Sequence, residues 1–476
     1  CWFMFSTPIL SNGGTTRGLP ISCFLNYVPD SRTGLSDHYD ENIWLASAGG
    51  GIGGYWGDVR SNGTSTSNGS KSTGSIPFMH VVDSQMLAFN QGVTRRGSYA
   101  AYMDIDHPEV EEFIAMRKTT GGDLNRKCLN LHNGVNITNE FLDAVKEDKE
   151  WRLIDPKSKE AIKNVSARDL WWQLLHTRSE TGEPYIVNID NCNDALPQQQ
   201  KDLGLEVKQS NLCSEITLPT NEERTAVCCL SSVNVEKFDD WSKDEQFIED
   251  LVTMLDNVLE QFIESAVDTA HYALGSYRAN AERFKNYLKE DKNAYRKSAF
   301  SAYRERSIGL GAMGFHSYLQ SKAVPFEGLR ATSINHQVFK HIKEKAVDAS
   351  KKLANDRGEA PDMVGSGLRN AHLLAVAPNA SSSIICNGTS PSIEPSRANV
   401  YTHKTLSGSY KVQNKHLKNL LESKNKNTIE VWKDIAAHEG SVQHLDFLTD
   451  EEKEVFKTAP ELNQIWIVEH AHQRQQ

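Results

Sequence analysis

A mostly parallel α/β fold is what this 476-residue sequence predicts, and three observations predict it. Short apolar runs alternate with long helical stretches, the pattern of strands joined by crossover helices. The clearest helix, 243–270, carries Phe247, Leu251, Leu255, Val258, Leu259 and Phe262 on one stripe at i, i+3 and i+4 spacing. No internal repeat and no linker interrupts the chain, and its 38% hydrophobic content suffices for a large core. The expectation is one domain, 1–476, with an inserted helical layer.

The elements follow in order. Residues 1–28 alternate short apolar runs with Gly/Thr/Asn turns, read as strand, turn, strand. Residues 38–48 read as a helix leading into Gly49-Gly50-Gly51-Ile52-Gly53-Gly54. The Ser/Thr/Asn/Gly tract 61–75 reads as a mobile loop. A helix follows over 76–90, then a polar loop from Gln91 to Tyr99 with adjacent Arg95 and Arg96. Helices are expected at 107–117, 138–147 and 168–180, and a buried strand at 184–189. Residues 211–218 and 226–233 frame two cysteine-bearing segments. Further helices are expected near 277–290, 306–321 and 335–355, the last stopped by Gly358. Leu373 to Ala377 reads as a short strand, 400–412 as a hairpin, and 413–424, 428–437 and 449–473 as helices.

Composition excludes several functions. The net charge is −10 and the basic residues are scattered, so the chain lacks the electrostatic footprint of a nucleic-acid or anionic-membrane binder. No apolar run approaches the ~20 residues of a membrane span. The eight cysteines are sparse and irregular, without a C-x-x-C pair. That spacing fits neither a disulfide scaffold nor a structural metal site, and no metal ligands are assigned. A reducing, cytoplasmic setting fits best. The chain opens on Cys1-Trp2-Phe3-Met4-Phe5 and closes on a helix-like pattern without a stop signal, so both ends read as cuts in a longer chain.

Three motifs carry chemistry. Gly49, Gly51 and Gly54 match a dinucleotide-binding spacing, but a helical stretch precedes them and no acidic residue follows at the ribose-binding distance. Tight backbone packing or an effector loop is the better reading. The turn Pro378-Asn379-Ala380-Ser381-Ser382-Ser383 follows a strand, and reads equally as an anion cradle or as a plain helix cap. The third motif is Asn211-Leu212-Cys213-Ser214-Glu215. In an extended segment or a finger-shaped loop, Asn211, Cys213 and Glu215 face the same way. A thiol beside a carboxylate is not activated as a thiolate, which argues against a protease-like nucleophile. A neutral, buried thiol suits hydrogen-atom chemistry, and Glu215 suits general-base work on a hydroxyl. Cys128, Cys192 and Cys386 read as small buried hydrophobes. Cys23 and Cys228 would form a redox pair if the fold brings their Cα atoms within about 7 Å.

These residues, together with Ser6-Thr7-Pro8-Ile9-Leu10, Ser22-Cys23-Phe24-Leu25, Cys228-Cys229-Leu230-Ser231, Ser307 to Gly311 and Ile393-Glu394-Pro395, resemble the catalytic (large, alpha) subunit of class I ribonucleotide reductase, its phage type included. The resemblance spans the whole chain. It implies a ten-stranded α/β barrel of two parallel five-stranded halves, with Asn211 to Glu215 on a central finger loop and the last strands missing at the C-terminus. By similarity Cys213 is the thiyl-radical cysteine, Glu215 the base at the 3′-hydroxyl, and Asn211 the group that binds the ribose hydroxyls. Cys23 and Cys228 are the reducing dithiol, with Cys229 a bystander. Thr7, Ser22, Asn379, Ala380, Ser381, Ser382 and Ser383 match substrate-binding positions for a ribonucleoside diphosphate. Asp30 and Arg60 match the effector site for dNTP or ATP. Gln91, Arg95 and Arg96 lie on the loop that relays effector identity, and 61–75 is a second effector loop.

The resemblance further implies that no cofactor is bound directly. A metal-containing small (beta) subunit supplies the radical, thioredoxin or glutaredoxin is the reductant, and the large subunit is a homodimer. The N-terminal ATP cone and the C-terminal radical-transfer and redox tail have no counterpart in these 476 residues, so the chain alone is expected to be inactive. The cobalamin-dependent class shares the barrel and the three cysteines and is the nearest rival.

Overall fold

The structure is a computed structural model, and it describes residues 1–15, 19–21, 23–91, 95–266, 295–405 and 408–475. Ser22 and the helix expected near 277–290 fall outside the described residues.

Fourteen strands are present among the described residues: β1 Phe3–Phe5, β2 Cys23–Tyr27, β3 Gly51–Tyr55, β4 Asn90–Gln91, β5 Arg95–Arg96, β6 Ser98–Asp104, β7 His132–Ile137, β8 Glu150–Ile154, β9 Ala161–Ser166, β10 Tyr185–Asn188, β11 Ala226–Asn234, β12 Ile308–Met313, β13 Val400–Thr405 and β14 Gly408–Gln413. Eight of them form one curled sheet in the order β1-β11-β2-β3-β6-β7-β10, with β12 beside β11. From β2 to β10 the five strands are parallel. They form one complete half of a barrel. β11 runs antiparallel to β2 and parallel to β12, and an isolated parallel bridge joins Leu310 to Leu374. Among the described residues, this second half is therefore shorter than the expected five strands.

Parallel strands need helical covers on their outer face. The helices Arg32–Ser47, Ile76–Ala88, Ala167–Thr181, Phe247–Ala266 and Leu329–Arg357 supply them. Phe247, Leu251, Leu255, Val258, Leu259 and Phe262 are all buried, as the stripe requires. They join the main apolar core with Phe24, Ile52 and Leu310 from the sheet. A second core, built on Leu417, Leu421, Trp432, Ile435 and Val442, holds together a small helical lobe near 400–456.

Several expectations are corrected. The segment 306–321 is not one helix: Ile308–Met313 is β12, and a helix begins only at Phe315. Gly309 explains this, because an added Cβ there would sit 2.8 Å from Cys228 Sγ and 2.9 Å from Ala375 Cβ. Thr7–Asn12 is a helix, not a turn. Ser98–Asp104, expected mostly outside any element, is a central strand. The stretch 449–473 divides into Asp450–Val455, a single 3₁₀ turn, and Ile465–Gln475. The tract 61–75 is tied down, with Asp155 accepting from the Ser61 N–H at 2.8 Å, from Ser61 Oγ at 2.6 Å and from Thr64 Oγ1 at 2.8 Å.

Candidate active site

The strand pairing places the two candidate redox cysteines. Cys23 begins β2, Cys228 is the third residue of β11, and the two are direct partners across the antiparallel ladder. Opposed antiparallel residues have Cα atoms about 4.5–5.5 Å apart, inside the range a disulfide requires. Both are buried. Strand alternation then separates Cys228 from Cys229. Cys228 joins an inner cluster with Cys23, Ile216 and Ala375, whereas Cys229 turns into the outer core under the helices. Burial, with Cys23, Cys229 and Glu215 nearby, pushes the Cys228 thiol well above its usual pKa, so it stays protonated.

The finger loop lies across β3. An added Cβ at Gly53 would stand 2.2 Å from Ser210 O and 2.9 Å from Asn211 Cα, and one at Gly51 would meet Leu212 Cδ2 at 2.8 Å. The glycine cluster is therefore a platform for close backbone approach. The loop is a tight turn, not an extended segment. Asn211 N–H donates to Ile216 O at 3.2 Å, and Ser214 takes a positive φ of 67°. Asn211 Oδ1 accepts from the N–H groups of Glu215 (3.0 Å) and Ile216 (3.1 Å). Its Nδ2 donates to Glu215 Oε2 at 2.8 Å and to Cys23 Sγ at 3.4 Å. One side chain thus connects the carboxylate, the finger and the dithiol. Burial pushes the Glu215 carboxyl above its ordinary range, opposed by the Asn211 hydrogen bond.

Cys213 departs from expectation in one respect: its side chain is exposed, not buried. It stands at the edge of a cavity of about 650 Å³ lined by Glu215, Leu310, Gly311, Ala375, Pro378 and Glu394, among others. A larger cavity of about 810 Å³ lies between Ser317 and the β13–β14 hairpin and contains no cysteine.

The remaining candidates divide. Thr7 opens a helix whose preceding residue, Ser6, donates its N–H to Leu230 O at 3.3 Å, two residues along from Cys228. Asn379, in the left-handed region at φ 55°, precedes a six-residue helix, and its side chain donates to Ala312 O and Ala377 O instead of capping. Ala380 and Ser381 are exposed and Ser382 half-buried, while Ser383 is buried and donates to Ala380 O. Asp30 and Arg60 hold each other, with Arg60 Nη2 2.9 Å from Asp30 Oδ2 and Nε donating to both carboxylate oxygens. Gln91 pairs with Arg95 across the short β4–β5 ladder, and Asn90 pairs with Arg96.

One residue of the site lies outside the sequence-derived set. Buried Tyr102, on β6, donates from its hydroxyl to Asn211 O at 2.5 Å and lies 3.3 Å from Ser214 Oγ. Its ring covers Gly134, where an added Cβ would come within 2.4 Å. An aromatic in a buried strand is the available signal, and it is missed when 100–104 is left outside any element.

A half-barrel that turns a thiol-bearing finger toward an opposed cysteine pair defines an enzyme that works with sulfur. Comparison with known proteins makes the class specific. The family described as ribonucleotide reductase, barrel domain, matches residues 21–366 and 361–476. A putative ribonucleoside-diphosphate reductase large subunit of Frog virus 3 (isolate Goorha) is 49% identical over 475 residues, covering all of this chain and 78% of the relative. The ribonucleoside-diphosphate reductase large subunit of Invertebrate iridescent virus 3 is 44% identical over 531 residues, covering all of this chain and 79% of the relative. A solved structure, the Actinobacillus ureae class Id ribonucleotide reductase alpha subunit, superposes with a TM-score of 0.84 at 36% identity, over all of this chain and 79% of that one. The chain belongs to the ribonucleotide reductase family, on the side of its large, alpha subunits.

Proposed function

We propose that this chain is the catalytic core of a ribonucleoside-diphosphate reductase, a single catalytic unit over 1–476. In this reading a ribonucleoside diphosphate occupies the cavity beside Cys213. Cys213, as thiyl, removes the 3′ hydrogen, and Glu215 takes the 3′-hydroxyl proton. The raised pKa of Glu215 suits that task, because a carboxylate destabilised by burial is a stronger base. Asn211 holds Glu215 and contacts the ribose hydroxyls. The 2′-hydroxyl leaves as water, and Cys23 and Cys228 supply two electrons and two protons as their thiols become one disulfide. Cys213 then returns the hydrogen to C3′.

The diphosphate is assigned to Thr7, Ser22 and the Asn379–Ser383 turn. Asp30 and Arg60 are assigned to a dNTP or ATP effector, and Gln91, Arg95 and Arg96 to its relay. The initiating radical comes from a metal-containing small subunit, the oxidised dithiol is restored by thioredoxin or glutaredoxin, and two large subunits associate in the cytoplasm.

The observation that carries this reading is the Cys23–Cys228 opposition, bridged to Glu215 through Asn211. Mild oxidation followed by peptide mapping tests it. A Cys23–Cys228 disulfide that forms in Cys229→Ser and is lost in Cys228→Ser is the expected result. Pairing of Cys23 with any other cysteine overturns it.

A further inference from the structure

The helical lobe carries a second cluster of reactive side chains, which the proposed reduction does not use. Asp434 and His438 stand one turn apart at the end of the helix Ile429–Ala437. Glu439 (φ 57°) and Gly440 (φ 88°) then reverse the chain. The reversal is rigid. Gly440 N–H donates to Ile435 O at 2.8 Å and Ser441 N–H to His438 O at 2.9 Å, while an added Cβ at Gly440 would lie 2.5 Å from Ala398 Cβ.

The returning chain lays His444 over His438, with ring centroids 3.7 Å apart and planes 19° from parallel. His444 Nε2 lies 3.0 Å from Asp434 Oδ2, and His438 Nδ1 lies 3.3 Å from Asp434 Oδ1. One ligand atom from each of the three residues falls within 4.8 Å of the others. Both sides of the cluster are anchored in one apolar core, the helix through Trp432 and Ile435 and the loop through Val442 and Leu445.

Two imidazoles and a carboxylate are a donor set for a first-row divalent cation, zinc above all, with positions left for water. The surroundings restrain one ring and leave a nitrogen of the other without a protein partner among the described residues. His438 Nδ1 also sits 2.9 Å from Asp434 O, a main-chain atom that restrains the ring. His444 Nδ1 is buried with no hydrogen-bond partner among the described residues, a polar atom left for water or a bound ion to satisfy.

We propose that Asp434, His438 and His444 form a zinc-binding site that clips the helix end to the loop behind it. The site is remote in sequence from the finger loop and shares no residue with the cavity beside Cys213. The test is titration of the full chain with Zn²⁺, and in parallel with Co²⁺, in the wild type and in His438→Gln, His444→Gln and Asp434→Asn. Melting of the metal-free proteins verifies that each variant is folded.

The expected result is one class of bound metal whose Kd weakens at least tenfold in each variant. Its cobalt spectrum should lack the intense thiolate charge-transfer band, which distinguishes it from metal held by cysteines. Metal stoichiometry and affinity unchanged in His438→Gln or in Asp434→Asn would overturn the proposal and leave the three residues as an ion-paired cluster.

Discussion

The finger loop rests on a glycine, and that contact sets a quantitative expectation. In Gly53→Ala, the new methyl carbon would stand 2.2 Å from Ser210 O, 2.9 Å from Asn211 Cα and 3.1 Å from Asn211 C. All three obstacles are backbone, so no side chain can swing aside. The finger must retreat by about 1 Å to recover ordinary van der Waals separation. Overpacking of this kind costs about 1–3 kcal/mol in stability. The catalytic cost is larger, because displacing a reacting group by about 1 Å lowers a rate by about 10²-fold. The assay is nucleotide reduction by the enzyme completed with its small subunit, beside urea unfolding and the rate at which a thiol reagent modifies Cys213. Ile52→Val is the control. Ile52 turns into the outer core, away from the finger, and should cost about 0.5–1.5 kcal/mol with turnover unaffected. A folded Gly53→Ala enzyme that turns over at the wild-type rate would refute the argument that β3 positions Cys213.

Other perturbations address the surrounding groups. Tyr102→Phe deletes the hydroxyl donated to Asn211 O, so stability should fall by about 1 kcal/mol and kcat should drop with KM little changed; wild-type kcat would remove Tyr102 as a positioning residue. Asp30→Ala releases the Arg60 guanidinium, and deoxynucleotide affinity measured by calorimetry should weaken at least tenfold, while stability moves by less than about 1 kcal/mol because the pair is near the surface. Unchanged affinity would take Asp30 out of the effector site. Burial pushes Glu305 up to about 7, against the Arg224 charge and the Ser301 hydrogen bond that hold it down. The folded protein then keeps a proton that the unfolded chain releases near the ordinary value of 4.5, so stability should decline by up to about 3 kcal/mol as pH rises from 4.5 to 7 and level off above. Glu305→Gln should flatten that slope in urea midpoints taken across the range; identical profiles for variant and wild type would contradict the assignment.

The residues proposed for the chemical centre are legible in the amino-acid order. Asn211, Cys213 and Glu215 share a five-residue motif, so their grouping is read directly. How the motif folds is not legible there. An extended segment is one of two options for such a motif, and the chain forms a turn instead, closed by Asn211 accepting the Glu215 and Ile216 N–H groups. The exposure of Cys213 runs against the expected burial, because burial depends on what packs over a loop tip. β12 reads as helix from its residues alone, since an apolar run of six residues with two glycines carries no clear period. Only the neighbouring Cys228, Leu230 and Ala375 explain why those glycines are there. Tyr102 gives no local sign of its role for a similar reason: that role lies in a contact with a residue 109 positions away.

Periodicity and side-chain chemistry act within a few residues, and they account for the alternating α/β order, the amphipathic cover helix and the identity of the reactive groups. Which distant groups meet is a matter of packing. Cys23 and Cys228 become partners through the register of β2 against β11, set by a whole sheet burying its faces. The His438–His444 stack over Asp434 depends in the same way on a chain reversal at Gly440 and on the apolar core beneath it. Contacts across such separations are selected by the packing of all the elements together, and no short stretch of the chain carries that information.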